Sequence, residues 1–348
     1  MSTPIPTAGL PDVDVVCLGE AMVAFRPTAP GPLAAAPSFE RGIGGAEANV
    51  ACALARYGHR TRWAGRVGTD GFGTYLLEAL AAHGVDTSAV RRDPARTTGL
   101  YFRTAGERAT AAAPAPAREP YAEVAYYRSG SAASAMSPEN VAREIAWSGR
   151  VLHLTGITAA LSAGCLALMR ALTARAPGRP LVSFDVNFRA PLWPAAAGGP
   201  RTLAALARGC DVVFVGEDEA QDLWGVTGAD AVRALLPEPP LLVVKRGAAG
   251  ATAYTDGTVV AVPAPVVDVV APVGAGDAFA AGFLSATLRG LPLAARLRHG
   301  HLMAASALTA AGDLGEPPAR ARADALAGLD PGAWGRLRLG PGWEEHTA

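Results

Sequence analysis

Two hydrophobic periodicities alternate along the chain. Val13 to Leu18 is an unbroken, β-branched apolar run that stops at Gly19-Glu20, the pattern of a central strand buried on both faces. Met22 to Phe25 continues as strand, Pro27 to Pro37 reads as a loop, and Val50, Cys52, Ala53, Leu54 and Tyr57 share one helical face that Gly58 closes. Thr61 to Ala64 leads through a glycine-rich stretch to a helix over Tyr75 to His83. Thr98 to Thr104 and Glu123 to Arg128 alternate polar and apolar residues; with Met22 to Phe25 and Ser38 to Arg41 they predict a second, small sheet. From Val151 onward strands and helices interleave: Val151 to Leu154, Cys165 to Ala174, Leu181 to Asp185, Leu203 to Ala207, Val212 to Val215 and Leu241 to Lys245. That alternation predicts βαβ crossovers and a mainly parallel sheet covered on both faces. Further helices are expected from Asp277 and over Ala294 to Ala310, and residues 319–348 read as a terminal helix and a loose tail. Residues 1–12 are expected to be disordered, and the Ala/Pro-rich stretch 109–120 is read as a mobile loop.

In open α/β sheets ligands bind beyond the carboxyl ends of the strands, where Asp185, Asn187, Arg189, Glu219 and Lys245 fall. The stretch Gly274-Ala275-Gly276-Asp277 lies between the β-branched run Val266 to Val270 and a helical face of Phe279, Phe283, Ala286 and Thr287. Glycines at a helix start let unpaired N–H groups approach an anion. Asp277 would then face the same spot, as general base for a hydroxyl attacking a phosphoryl group. By itself the turn reads first as an ordinary one followed by a capping aspartate.

Composition narrows the partners. Lys+Arg and Asp+Glu both total 31 in 348 residues, so no net field points to nucleic acid or an anionic membrane. The expected ligand is a small molecule, and the cytoplasm is the expected location. Cys17, Cys52, Cys165 and Cys210 are widely spaced and read as reduced packing residues.

Three stretches together resemble the ribokinase-like (PfkB) sugar kinases: Gly44-Gly45-Ala46-Glu47-Ala48-Asn49-Val50-Ala51, the segment Gly65 to Gly73, and Pro272 to Phe279. The likeness runs from about Val13 to Pro318. It implies a three-layer α/β/α core over 13–318, with lid segments at about 21–42 and 98–129 forming a small β-sheet. Within the family the chain most resembles members that phosphorylate 2-keto-3-deoxygluconate. Carrying that resemblance are Thr98 to Tyr101, Tyr126 to Ser134, His153 to Ile157 and Asp185 to Trp193.

The resemblance implies phosphorylation of that acid at its terminal 6-hydroxyl by ATP with Mg2+. Asp277 would be the base, the N–H groups of Gly274, Ala275, Gly276 and Asp277 the anion hole, and Arg189 a charge beside the γ-phosphate. Asn187, Lys245, Gly247, Gly250 and His301 would meet the nucleotide, with Lys245 read equally as a strand-end surface charge. Gly45, Ala46, Glu47, Ala48 and Asn49 would hold sugar hydroxyls, Tyr101, Tyr126 and Arg128 the acid end, and Asp313 a further hydroxyl. Because Tyr126 shares a strand face with Arg128, Tyr126 is expected in the pocket and Tyr127 outside it. Arg128 can fork onto a planar carboxylate, which neutral sugars lack. Glu219 would act on Mg2+ through water, or simply be a helix N-terminal acid.

Two departures change the expectation. Ala271 stands where relatives carry an aspartate that helps bind a monovalent cation, so potassium activation is not expected. Gly216 replaces an asparagine near the metal site. Other acceptors, fructose or 2-keto-3-deoxygalactonate, are the nearest alternatives; a catalytically silent sugar-acid binding protein is the alternative of another class. A homo-oligomer through the lid is expected, because an open sheet edge invites pairing.

Overall fold

The computed structural model describes residues 13–104, 123–193, 198–310, 312 and 314–344. Residues 1–12, the expected mobile loop at 109–120 and Asp313 lie outside these described residues.

Nine strands run in order through the first half: β1 Val13–Leu18, β2 Met22–Pro27, β3 Phe39–Gly44, β4 Thr61–Ala64, β5 Arg66–Gly68, β6 Arg91–Asp93, β7 Leu100–Arg103, β8 Val124–Tyr127 and β9 Gly149–Thr155. The remainder are β10 Leu181–Asp185, β11 Val212–Gly216, β12 Leu241–Lys245, β13 Ala251–Thr255, β14 Thr258–Val262, β15 Val266–Val267 and β16 Arg338–Leu339. Eight of them form the main sheet, ordered β14-β13-β12-β11-β10-β9-β1-β4. It is parallel from β4 to β12 and antiparallel over the closing hairpin. That hairpin, β13 to β14, was not assigned by the hydrophobic pattern.

Strand alternation divides the core into two faces. Val15, Cys17, Phe214 and Val243 point into one cluster, packed against helices α1 (Ala46–Arg56), α9 (Ala275–Leu288) and α10 (Leu293–Leu308). Val16, Leu18, Val213 and Val244 point into the other, with α5 (Ala163–Thr173), α6 (Gly199–Gly209) and α7 (Glu217–Trp224). Between these in the chain lie α2 (Gly71–Ala82), α3 (Arg143–Ala146), α4 (Gly156–Ala159) and α8 (Ala229–Leu235). The result is the three-layer α/β/α arrangement. All four cysteines are free and buried, and no described helix is long and apolar enough to cross a membrane.

A four-stranded sheet, β3-β2-β7-β8, stands beyond the carboxyl end of β1. Its strands come from the two predicted lid segments. Phe25 stacks on Phe102 at 4.8 Å on one face, while Met22, Ala24 and Tyr101 are buried on the other. Asp70 caps α2 through the Gly73 N–H at 2.8 Å and accepts the Thr98 N–H at 2.8 Å. That carboxylate ties the glycine-rich segment to the base of the lid.

Through residue 344 the C-terminal stretch is ordered rather than loose. Helices α11 (Arg320–Ala327) and α12 (Pro331–Gly335) lead into β16, which pairs with β15. Trp334 is 1% exposed, and its indole N–H donates to the Val262-adjacent Pro263 carbonyl at 2.9 Å. Trp343 is buried as well. Isolated tryptophans between Gly, Ala and Arg carry no periodicity, so docking rather than pattern orders this segment. Trp334→Ala is expected to lower unfolding stability by roughly 3–5 kcal/mol, as removal of a buried aromatic does, read by chemical denaturation; an unchanged midpoint would mean that the tail contributes nothing to the core.

Candidate active site

Strands β1, β9, β10, β11 and β12 are parallel, so their carboxyl ends share one edge. The order of strands reverses between β1 and β9, and the crevice outside such a switch point is where a ligand fits. A cleft open to solvent lies there. It is lined by Glu20, Met22, Gly45, Ala46, Asn49, Tyr101, Tyr126, Arg128, Ile157, Arg189 and Asp277. Lid, α1 and the α9 turn thus converge on one space.

Helix α9 begins at Gly274, whose φ of 73° is a left-handed conformation that glycine adopts without steric cost. Its first helical hydrogen bond is Ala278 N–H to the Gly274 carbonyl, 2.9 Å. The N–H groups of Ala275, Gly276 and Asp277 therefore have no partner within the helix. Asp277 sits among them and accepts the Asn49 Nδ2 hydrogen bond at 2.9 Å. Burial pushes its carboxyl up to about 7; Asn49, Arg189 and Lys245 pull it down, and Asp185 pushes it further up. A carboxylate titrating there is suited to take a proton near neutral pH.

Asn49 was expected to hold a sugar hydroxyl. Its amide nitrogen donates to the Asp277 carboxylate, while its Oδ1 is a buried acceptor without a hydrogen-bond partner on the cleft wall. Gly45, at φ 121°, and Ala46 join it in the cleft wall. Glu47 and Ala48 do not line this cleft: both are fully buried. Glu47 accepts from Thr155 and Thr158 at 2.8 and 2.7 Å beneath the floor, and burial raises it to about 7. Helical geometry separates the five, since residues 45, 46 and 49 share a face and 47 and 48 turn inward.

On the lid, Tyr101 and Tyr126 stack with ring centres 5.6 Å apart, and Arg128 lies 5.3 Å from the Tyr126 ring. Tyr127 is 65% exposed on the opposite face. Arg128 is buried and in ionic contact with Glu20, which the sequence reading had not assigned. Glu20 directly follows β1; a polar residue ending a buried strand was the signal available. Removing either partner would strand a buried charge, at about 3–5 kcal/mol.

Behind the α9 turn, Lys245 at the end of β12 donates to Asp185 at the end of β10, 2.6 Å. Burial opposes the charge on Lys245, but Asp185, and Glu219 beyond it, hold the ammonium protonated above its usual range. Its Nζ lies 3.5 Å from where a Cβ on Gly276 would stand. Lys245 is thus a half-buried, paired charge beside the Gly274 to Asp277 turn. Arg189 lines the cleft with Nη1 3.9 Å from Glu219. Asn187 follows β10 with φ 41°, a left-handed conformation that asparagine tolerates.

Three nucleotide expectations are not gathered into this cleft. Gly247 and Gly250 form the turn between β12 and β13, both at positive φ. His301 is 6% exposed, packs edge-on against Phe279 at 5.2 Å and has Nε2 3.2 Å from the Val262 carbonyl. One of its ring nitrogens is thus engaged by the backbone. Among the described residues no three His, Cys, Asp or Glu side chains cluster as metal ligands. Asp185 Oδ1 is nevertheless a buried acceptor without a partner, next to Glu219 and the turn. Ala271 is 9% exposed and offers no ligating oxygen.

Comparison with known proteins agrees with this geometry. The pfkB family carbohydrate kinase profile matches residues 12–319. A 2-dehydro-3-deoxygluconokinase of Thermoproteus tenax is 36% identical over 282 residues, covering 80% of this chain and 83% of the relative. One of Bacillus subtilis is 34% identical over 318 residues, covering 88% and 93%. A probable chloroplastic fructokinase of Arabidopsis thaliana is 33% identical over 289 residues, covering 80% and 71%. The crystal structure of a PfkB protein from Polaromonas sp. JS666 superposes with a TM-score of 0.76 at 37% identity, covering 90% of this chain and 99% of that one. A raised carboxyl at the head of a glycine turn, a small sheet beside an open cleft and a family match along most of the sequence coincide: the chain belongs to the pfkB family of carbohydrate kinases.

Proposed function

We propose that this kinase transfers the γ-phosphoryl group of ATP to the terminal 6-hydroxyl of 2-keto-3-deoxygluconate. The observation that carries this reading is the position of Arg128 in the same cleft as Asp277. It places a guanidinium at the end of a short sugar chain whose far hydroxyl would lie at the base. The two relatives named for that activity support it. A neutral ketose is the second reading, because Arg128 already has a counter-ion in Glu20 and fructokinases share a third of the sequence.

In the reaction, Asp277 accepts the proton of the attacking hydroxyl, whose oxygen bonds to the γ-phosphorus. The bond from that phosphorus to the β,γ-bridging oxygen breaks and ADP leaves. The free N–H groups of Ala275, Gly276 and Asp277, with Arg189 and Lys245 around them, hold the charge on the transferring group. Tyr101 and Tyr126 position the sugar, and the lid keeps water away so that ATP is not hydrolysed instead. Asp185 and Glu219 would hold Mg2+ or its waters, and the ion would supply charge neutralisation on the phosphate oxygens. Without a side-chain oxygen at Ala271, turnover should be indifferent to potassium. The outward Tyr127 and Phe72 make the lid the face through which a homo-oligomer would form.

An ADP-release assay with MgATP tests the substrate. Turnover is expected with 2-keto-3-deoxygluconate and not with fructose, ribose or adenosine, with or without potassium. Turnover with fructose alone would keep the kinase and discard the acid, and binding without turnover would favour a silent binding protein. Asp277→Asn should reduce kcat by orders of magnitude while leaving sugar and ATP affinity nearly unchanged; near-normal turnover would remove Asp277 from the chemistry. Since the base must be ionised, kcat should fall as pH drops through about 7. Asn49 holds the carboxyl down, so Asn49→Ala should move that limb to higher pH; an unmoved limb would mean that another group titrates.

A further inference from the structure

Arg128 does not wait in the cleft as a free cation. Its guanidinium touches the carboxylate of Glu20, which is 1% exposed and itself lines the cleft. The groups facing Glu20 come from several elements. Arg128 follows β8, and Ser131 in the next loop donates to Oε1 at 3.3 Å. Thr158 on α4 accepts the Glu20 backbone N–H at 3.3 Å and donates onward to Glu47 of α1. The Cys165 thiol of α5 is near enough for its ionisation to feel Glu20. Of these, Arg128 alone is positively charged.

A carboxylate brought to Arg128 would enter beside a second, buried carboxylate. Two such groups around one guanidinium in a dry site repel, and the cheaper arrangement has one of them protonated. Given the acid-sugar reading above, we propose that Glu20 is an exchangeable counter-ion: the substrate carboxylate takes over Arg128, and Glu20 binds a proton drawn from solvent. Desolvation already raises the Glu20 carboxyl, and Arg128 followed by Ser131 holds it down. Loss of Arg128 moves it further in the same direction. A neutral sugar leaves the Arg128–Glu20 pair intact and takes up no proton, so the pocket distinguishes the two classes by charge bookkeeping as well as by shape.

Titration calorimetry of the whole protein with 2-keto-3-deoxygluconate, in phosphate and in Tris, tests this. The two buffers should give heats that differ by the uptake of about one proton per site at alkaline pH, above the resting titration of Glu20. Glu20→Gln should abolish the difference and Asp277→Asn should keep it. A group whose bound form has the higher pKa loses affinity as pH rises, so Kd for the acid should weaken up to tenfold per pH unit above the resting value. That pH profile of the unmutated protein decides the matter if Glu20→Gln does not fold. Acid binding with no buffer difference and a flat Kd, or a difference that survives Glu20→Gln, would overturn the exchange while leaving the substrate reading intact. No binding of the acid, with fructose phosphorylated, would overturn both.

Discussion

The structure depends on keeping buried charges paired along the carboxyl edge of a single sheet. Glu20, Asp185, Glu219 and Asp277 lie there with Arg128, Arg189 and Lys245. An unpaired charge in such a place costs several kcal/mol, so each group constrains the next. Lys245 reaches Asp185, Arg189 faces Glu219, Arg128 faces Glu20, and Asp277 is steadied by a neutral amide. Asp277, steadied by a neutral amide rather than a dedicated cation, has its carboxyl pushed up by burial to about 7, which suits a base. The positive end of α9 and the ammonium behind it leave the turn ready for an anion.

Much of this was legible in the sequence, for identifiable reasons. Strands buried on both faces are unbroken apolar runs, so β1, β10, β11 and β12 were readable within a residue or two. The glycine turns stood out because a left-handed start at Gly274 needs glycine. Alternation put Tyr126 and Arg128 on one face of the predicted strand Glu123 to Arg128. What escaped was tertiary. Glu20 and Arg128 are joined only when the lid folds back over β1, and a motif read as a block could not say that Glu47 faces inward beneath Asn49. His301 likewise lies on α10 with its ring turned to Phe279, and the docking of Trp334 and Trp343 leaves no periodic trace.

The departures at Ala271 and Gly216 acquire a setting. Neither supplies an oxygen or amide to an ion near the turn. In the proposed transfer, positive charge would come from side chains that are themselves anchored, Lys245 by Asp185 and Arg189 beside Glu219. On the reading proposed above, fixed cations and backbone N–H groups would carry the charge that a bound monovalent ion does not.

The central claim is geometric: the hydroxyl at one end of an acid sugar meets Asp277 while its carboxylate meets Arg128. Phosphorus NMR of the product formed from 2-keto-3-deoxygluconate and MgATP tests this most directly. A single phosphomonoester resonance coupled to both protons of the terminal carbon is the expected result. Phosphate on another oxygen, or inorganic phosphate released without a sugar phosphate, would contradict it.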